Sequence, residues 1–274
     1  MFINVDAFKA AGLDPASPPK NWSELEAAAA KLSSKPDNRF GVLMYMPNSY
    51  MFEGQLVSAG GAMVGADGKS GLDGAAGVDV MGYMRGLVEK GSMPAVSSGT
   101  FWGEAGRLFQ AGEVAMLLAS SSSYLSLVSK APFKVALAPM PAKDGAGAVT
   151  MASGNGLVML ATDPARQAAV CKALLSLVTP ESVALTAKAT ASAPVNALAA
   201  TKPELLGDFY AKNPDLKVIN AQKSQNWYTL PGKANNEFQA NFGDIQYEVL
   251  TGAATPEDGM KRLSAIMNDL LDAK

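Results

Sequence analysis

Residues 1–32, MFINVDAFKAAGLDPASPPKNWSELEAAAAKL, decide how the rest of the chain is read. An apolar run, Met1-Phe2-Ile3, opens the stretch and is too short to be a strand by itself. Residues 5–11 read as a helical turn stopped by Gly12 at the C′ position. Pro15, Pro18 and Pro19 then keep the backbone extended, because each ring fixes φ and disfavours helix in the residue before it. Asn21-Trp22-Ser23-Glu24 is a capping box: the Asn21 side chain can take the orphan N–H of Glu24, and Glu24 can reach back. Trp22, Leu25, Ala28, Ala29 and Leu32 share one helical face, so this helix is expected to be packed.

The rest of the 274-residue chain alternates strand-like and helical segments, which argues an α/β fold with room for a sizeable core. Strands are expected at 40–46, 114–119, 133–138 and 157–161, and an exposed loop at 139–147. Helices are expected at 49–59, 78–90, 102–110, 124–129, 203–212 and 235–250, with a final one from the Thr255-Pro256-Glu257-Asp258 cap to about Leu271. Asp163-Pro164 and Thr179-Pro180-Glu181 open two more, with proline at the tolerated first position. Pro194 breaks helix, so 191–196 should be extended, while 213–230 is mixed.

Composition narrows function. A net charge of −2 leaves no footprint for nucleic acid or an anionic membrane surface. No apolar run approaches a membrane span, and Asp6 and Lys9 follow Met1 too soon for a secretory leader, so no signal peptide is expected in this chain. The single cysteine, Cys171, cannot form an internal disulfide; it shares a face with Ala168, Leu174, Leu175 and Val178 and reads as a buried small hydrophobe. The absence of histidine removes the commonest general base and zinc ligand, and no metal or cofactor is expected. The glycine-rich stretch 65–71, GADGKSG, is not a phosphate loop, because Met63 stands where its first glycine would have to be. The serine cluster Ser120–Ser123 lacks hydrolase signatures: Leu127 stands three before Lys130, and Ser153 is preceded by Met151-Ala152 rather than Gly-x.

The order of these pieces resembles the extracellular solute-binding proteins of ABC importers, the group that includes maltose- and glycerol-3-phosphate-binding proteins. The carrying residues are Phe2-Ile3-Asn4, then Asp6-Ala7-Phe8-Lys9-Ala10-Ala11-Gly12-Leu13, then Pro18-Pro19-Lys20-Asn21-Trp22-Ser23-Glu24-Leu25. Further along, Phe109-Gln110-Ala111-Gly112-Glu113-Val114-Ala115-Met116 is similar to the family's "Phe-x-x-Gly-x-x-Ala-Met". Val178-Thr179-Pro180-Glu181 is similar to its "Leu-x-Pro-Glu" junction. Gly252 to Met260 matches a late motif, with Gly259 in place of an alanine.

The resemblance implies a type II periplasmic-binding-protein-like α/β fold, with one large departure. In the family a whole first lobe and a signal peptide precede the strand matched by Phe2-Ile3-Asn4. Residues 1–153 and 195–274 would then be two parts of the C-terminal lobe. Residues 154–194 would be an excursion, a strand and two helices, into an incomplete N-terminal lobe. Leu157, Val158, Met159, Leu160, Leu174, Leu175, Leu177 and Val178 would lack part of their cover.

Implied function is solute binding for import, without catalysis, in a periplasmic or extracytoplasmic setting. The partners would be ABC permease transmembrane subunits, with no nucleic acid, and the chain a monomer unless another chain supplies the missing lobe. A truncated, non-functional fragment and, more remotely, a serine-dependent hydrolase are the alternatives. Ser121 and Ser122 are ligand candidates because that corner faces the cleft in the family; on the residues alone a capped helix start is the simpler reading. Gly154 and Asn155 allow close backbone approach, or are an ordinary turn. Tyr50 corresponds, by its spacing to Gly60-Gly61, to a cleft aromatic on which maltose binders stack a sugar, or is packing. Glycerol-phosphate binders carry a tyrosine where Ser192 stands and an arginine near Lys233. Lys233 can supply only a point charge there, so an uncharged sugar or polyol is favoured over glycerol phosphate. Trp227 and Tyr228 fall in a segment without a matching motif and are the weakest candidates.

Overall fold

The computed structural model describes residues 1–154 and 156–273. In chain order, β1 (Phe2–Asn4), α1 (Val5–Ala10), α2 (Trp22–Leu32) and β2 (Phe40–Leu43) precede α3 (Ser49–Ser58), α4 (Ala75–Glu89) and α5 (Phe101–Gln110). Next come β3 (Val114–Leu117), a 3-10 turn (Ser121–Ser123), α6 (Tyr124–Lys130), β4 (Val135–Leu137) and β5 (Thr150–Ala152). They are followed by α7 (Pro164–Leu177), α8 (Pro180–Thr190), α9 (Ala197–Thr201), a π-turn (Pro203–Gly207) and α10 (Asp208–Lys212). A second 3-10 turn (Pro214–Leu216), α11 (Lys217–Ala221), β6 (Ser224–Asn226), α12 (Lys233–Thr251) and α13 (Pro256–Asp272) complete the chain.

These elements form two compact units. The first comprises Met1–Ala119, Lys130–Ala152 and Gln222–Lys274; the second comprises Ser120–Ser129 and Ser153–Ala221. The second unit thus continues past 194, the end expected for the excursion, as far as Ala221.

The first unit is built on a four-stranded sheet ordered β2-β3-β1-β4. β1 pairs antiparallel with both β3 and β4, so the short opening run is an interior strand flanked on each side. β2 lies parallel to β3. Asn4 ends β1 and caps α1 by accepting from the N–H groups of Asp6 and Ala7. Asn21 caps α2, its Oδ1 accepting from Glu24 N at 2.9 Å, while Glu24 reaches back to Lys20 N at 2.8 Å. Trp22, Leu25, Ala28, Ala29 and Leu32 are all buried, as their spacing predicts. α2 lies so close over β2 that a Cβ at Gly41 would sit 2.1 Å from the Ala29 carbonyl oxygen. Only glycine leaves room there.

Residues 139–147 are not an exposed loop throughout. Met140, Pro141 and Ala142 are buried, while Pro139 and 144–147 are exposed. Trp22 N donates to Ala142 O at 2.9 Å and Met140 N to the Gln222 side chain at 2.8 Å. The chain then enters β5, which pairs parallel with β6 in a two-stranded ribbon that the sequence did not announce.

The second unit has a small core of Val183, Ala184, Ala187, Ala199 and Leu206, with Leu205, Phe209 and Tyr210 packed against it. Asp163 and Thr179 cap α7 and α8 as their sequences predict. Residues 157–161, in contrast, form no strand. An apolar run becomes a strand only beside a neighbour that takes its backbone N–H and C=O groups. Val158 and Leu160 are 80% and 87% exposed, and Leu157, Met159, Leu175, Leu177 and Val178 are exposed with them. Leu174 is half-buried. This absence of cover agrees with the sequence reading. Cys171 corrects it: the thiol is exposed, because α7 buries none of its residues and its apolar face is left largely uncovered by the described residues. Among the described residues no single helix is long and apolar enough to cross a membrane.

Candidate functional site

The best-built polar site of the first unit starts at α3. Asn48 caps this helix, its side chain accepting from Tyr50 N at 3.1 Å. α12 passes close by, since a Cβ at Gly243 would meet the Pro47 carbonyl oxygen at 2.7 Å. α3 buries nearly its whole circumference, including the polar side chains of Ser49, Glu53, Gln55 and Ser58. Each of these needs a partner to offset desolvation.

Three of the four are bonded at more than one point. Ser49 Oγ accepts from Trp227 Nε1 at 2.9 Å and Gln239 Nε2 at 3.1 Å, and Ser49 N donates to Gln239 Oε1 at 2.8 Å. Gln55 accepts from Trp22 Nε1 at 2.7 Å and donates to Pro141 O at 3.0 Å. Ser58 donates to Gly54 O and accepts from Val149 N. Glu53 differs. Both carboxylate oxygens share one donor, the Tyr228 N–H, at 3.0 and 3.1 Å. Burial pushes its pKa up to about 7, against the smaller opposing pull of that N–H.

The β5–β6 ribbon delivers the aromatic residues. Thr150 N donates to Lys223 O, and Trp227 N to Ala152 O, which aligns the chain beyond β6 with α3. Tyr50 Oη donates to Met151 O at 2.6 Å, and the rings of Tyr50 and Trp227 meet edge to face with centroids 5.6 Å apart. A groove of about 470 Å³ adjoins this corner, lined by Glu53, Val57, Met63, Gln225, Trp227 and Tyr228 among others.

Of the sequence-chosen residues, Tyr50 stands in this corner. Lys233, in the same unit, is exposed and opens α12 behind Gly232. Trp227 and Tyr228 stand in the Tyr50 corner too, whereas Ser121, Ser122, Gly154 and Ser192 belong to the second unit. Ser121 is half-buried and Ser122 exposed, in the turn that Ser120 caps by accepting from Ser122 N. Gly154 is exposed, and Asn155 lies outside the described residues. Ser192 takes a hydrogen bond from Thr190 Oγ1 at 2.9 Å and lines a small cleft with Ala187, Ala191, Phe209 and Leu216. Glu53 belongs to no motif in the sequence, and Trp227 and Tyr228 stand in a segment without one. The available signal was that Glu53 is the only acidic or basic residue in an otherwise uncharged helix, three places after Tyr50.

The sequence model of the bacterial extracellular solute-binding protein family matches residues 1–218. The chain belongs to this family. Among its curated relatives, the sn-glycerol-3-phosphate-binding periplasmic protein UgpB of Escherichia coli strain K12 is 30% identical over 237 residues. That match takes in 81% of this chain and 52% of UgpB, so the chain spans about half the length of the curated relatives it matches. The cyclic alpha-maltosyl-1,6-maltose binding protein from Arthrobacter globiformis has a similar structure, with a TM-score of 0.81 at 20% identity. That likeness covers 100% of this chain and 70% of the other. UgpB from Mycobacterium tuberculosis, in complex with glycerophosphocholine, gives 0.79 at 19%, covering 99% and 68%. At these identities the likeness speaks for the fold, which is that of the type II periplasmic binding proteins.

Proposed function

We propose that this solute-binding family member recognises a sugar or polyol as part of an ABC importer, without catalysis, and hands it to permease subunits outside the cytoplasm. The observation that carries this reading is the Tyr50–Trp227 corner. Two aromatic rings fixed by the Ser49, Gln239 and Met151 bonds can offer an apolar face to sugar C–H groups. Exposed primary amides at Gln225 and Asn226 lie beside it for hydroxyls. Ser121, Ser122, Gly154, Asn155, Ser192 and Lys233 are proposed as further solute contacts. Lys233 lacks the fork that grips a phosphate, which favours an uncharged solute over glycerol phosphate.

Residues 1–153 and 195–274 are proposed as parts of the second lobe and 154–194 as an excursion into a first lobe. The uncovered residues 157–160 and the unburied α7 support that assignment. They also favour a second reading, in which this chain alone is an inactive fragment. The test is an NMR titration of the chain with monosaccharides, disaccharides, polyols and glycerol phosphates, read at the Trp227 indole N–H. Saturable shifts with sugars or polyols, lost in Tyr50→Ala, are expected. No shift across the panel would leave the fragment reading.

A further inference from the structure

Glu53 is 2% exposed, yet it faces the groove rather than a packed interior. A carboxylate offers about four acceptor sites; among the described residues this one is met by a single N–H. The other buried polar side chains of α3 are satisfied twice over by protein groups. The groove therefore holds one strong acceptor with no charged complement among the described residues. No lysine or arginine among them lines it. Its remaining walls are the aromatic residues Trp227 and Tyr228, the amides of Gln225 and Asn226, and apolar Val57 and Met63.

We propose that this groove takes the amine end of an amino sugar or amino polyol, whose ammonium pairs with Glu53 while the aromatic residues flank it. The proposal rests on the reading of the Tyr50–Trp227 corner as a solute site. Tyr50, Glu53 and Val57 stand at i, i+3 and i+7 on one face of α3, so the groove continues from that corner along the helix. Aromatic rings stabilise a nearby cation through their negative faces. A charge-assisted hydrogen bond to a desolvated carboxylate is stronger than one to a neutral acceptor. Glu53 is also held near its ionisation point by burial, so a bound cation would fix it in the charged form.

The test uses three probes of one carbon skeleton: sorbitol, its amine glucamine and its acid gluconate. They are titrated into the full chain with the Trp227 indole and Tyr228 backbone N–H signals as readouts. Glucamine is expected to bind about tenfold more tightly than sorbitol, which is about 1.4 kcal/mol, with gluconate weakest. Glu53→Gln, whose amide oxygen can still accept from Tyr228, should bring glucamine down to the level at which the same variant binds sorbitol. Val57→Phe fills the groove independently and should also abolish the glucamine preference. Equal binding of sorbitol and glucamine would overturn the amine assignment and leave the solute site standing. A preference that survives both variants would overturn the role of Glu53. No shift with any probe would overturn this proposal and the solute reading of the corner together.

Discussion

The α-amino group of Met1 offers a sharp quantitative test of the first unit. Met1 is 5% exposed. Its nitrogen donates to Ala138 O at 2.9 Å while its carbonyl accepts from Ala138 N at 2.8 Å, the exchange expected of a strand-interior residue. Burial drops the amine's pKa from 8.0 to about 5. The unfolded chain then holds a proton that the folded chain has shed, so stability should rise with pH between about 5 and 8. Adding a few residues upstream turns this amine into a peptide N–H that keeps the Ala138 bond and carries no charge. The extended chain should gain about 1.4 kcal/mol near pH 7, growing to about 4 kcal/mol near pH 5 and vanishing above pH 8. Urea unfolding followed by tryptophan fluorescence is the assay, since Trp22, Trp102 and Trp227 all lie in the first unit. Equal midpoints for the two chains at pH 5, or a gap that does not change with pH, would refute the reasoning.

Other groups give further expectations. Glu53 has its folded pKa raised from 4.5 to about 7, so the folded state binds more protons and loses stability as pH climbs through that window. Glu53→Gln should therefore add about 2 kcal/mol near pH 8, after allowing for water in the groove, and almost nothing near pH 4; denaturant midpoints at the two pH values check it. Gln246 is 1% exposed, and its Oε1 has no hydrogen-bond partner among the described residues. Its Nε2 lies 3.9 Å from Met84 Sδ. Gln246→Met should raise stability by about 1 kcal/mol by removing an unsatisfied buried acceptor, and a lower melting temperature would contradict this. Val158→Thr with Leu160→Lys should change stability by no more than about 0.5 kcal/mol, because both side chains already face water. The same pair should reduce binding of a hydrophobic dye and slow aggregation.

What was legible in the sequence was mostly local chemistry. Asn21, Asp163, Thr179 and Thr255 each cap a helix where the motif predicts, because cap and capped N–H groups lie within a few residues. The buried face of α2 follows from spacing in the same way. Properties that depend on a distant partner were harder. Thr150–Ala152 and Ser224–Asn226 carry no alternating apolar pattern, and their pairing joins segments about seventy residues apart. Residues 157–161 have the composition of a strand but lack the neighbour that would make them one. Cys171 failed for the same reason, its apolar face being real but uncovered. In the candidate site, Tyr50 was visible through a resemblance. Glu53 and Trp227 gained importance only when the ribbon set them beside it.

We propose that residues 1–153 and 195–274 belong largely to one jaw of a solute receptor, with only part of the other jaw in this chain. The most direct measurement is calorimetric titration of the sugar and polyol panel into two proteins: this chain, and this chain joined to the upstream portion of a curated relative. The account predicts that the joined form binds at least about a hundredfold more tightly, because a second wall removes water from the contacts. It also predicts that hydrophobic dye binding at 157–160 disappears in that form. Equal affinity in the two proteins, or dye binding that persists after joining, would contradict it.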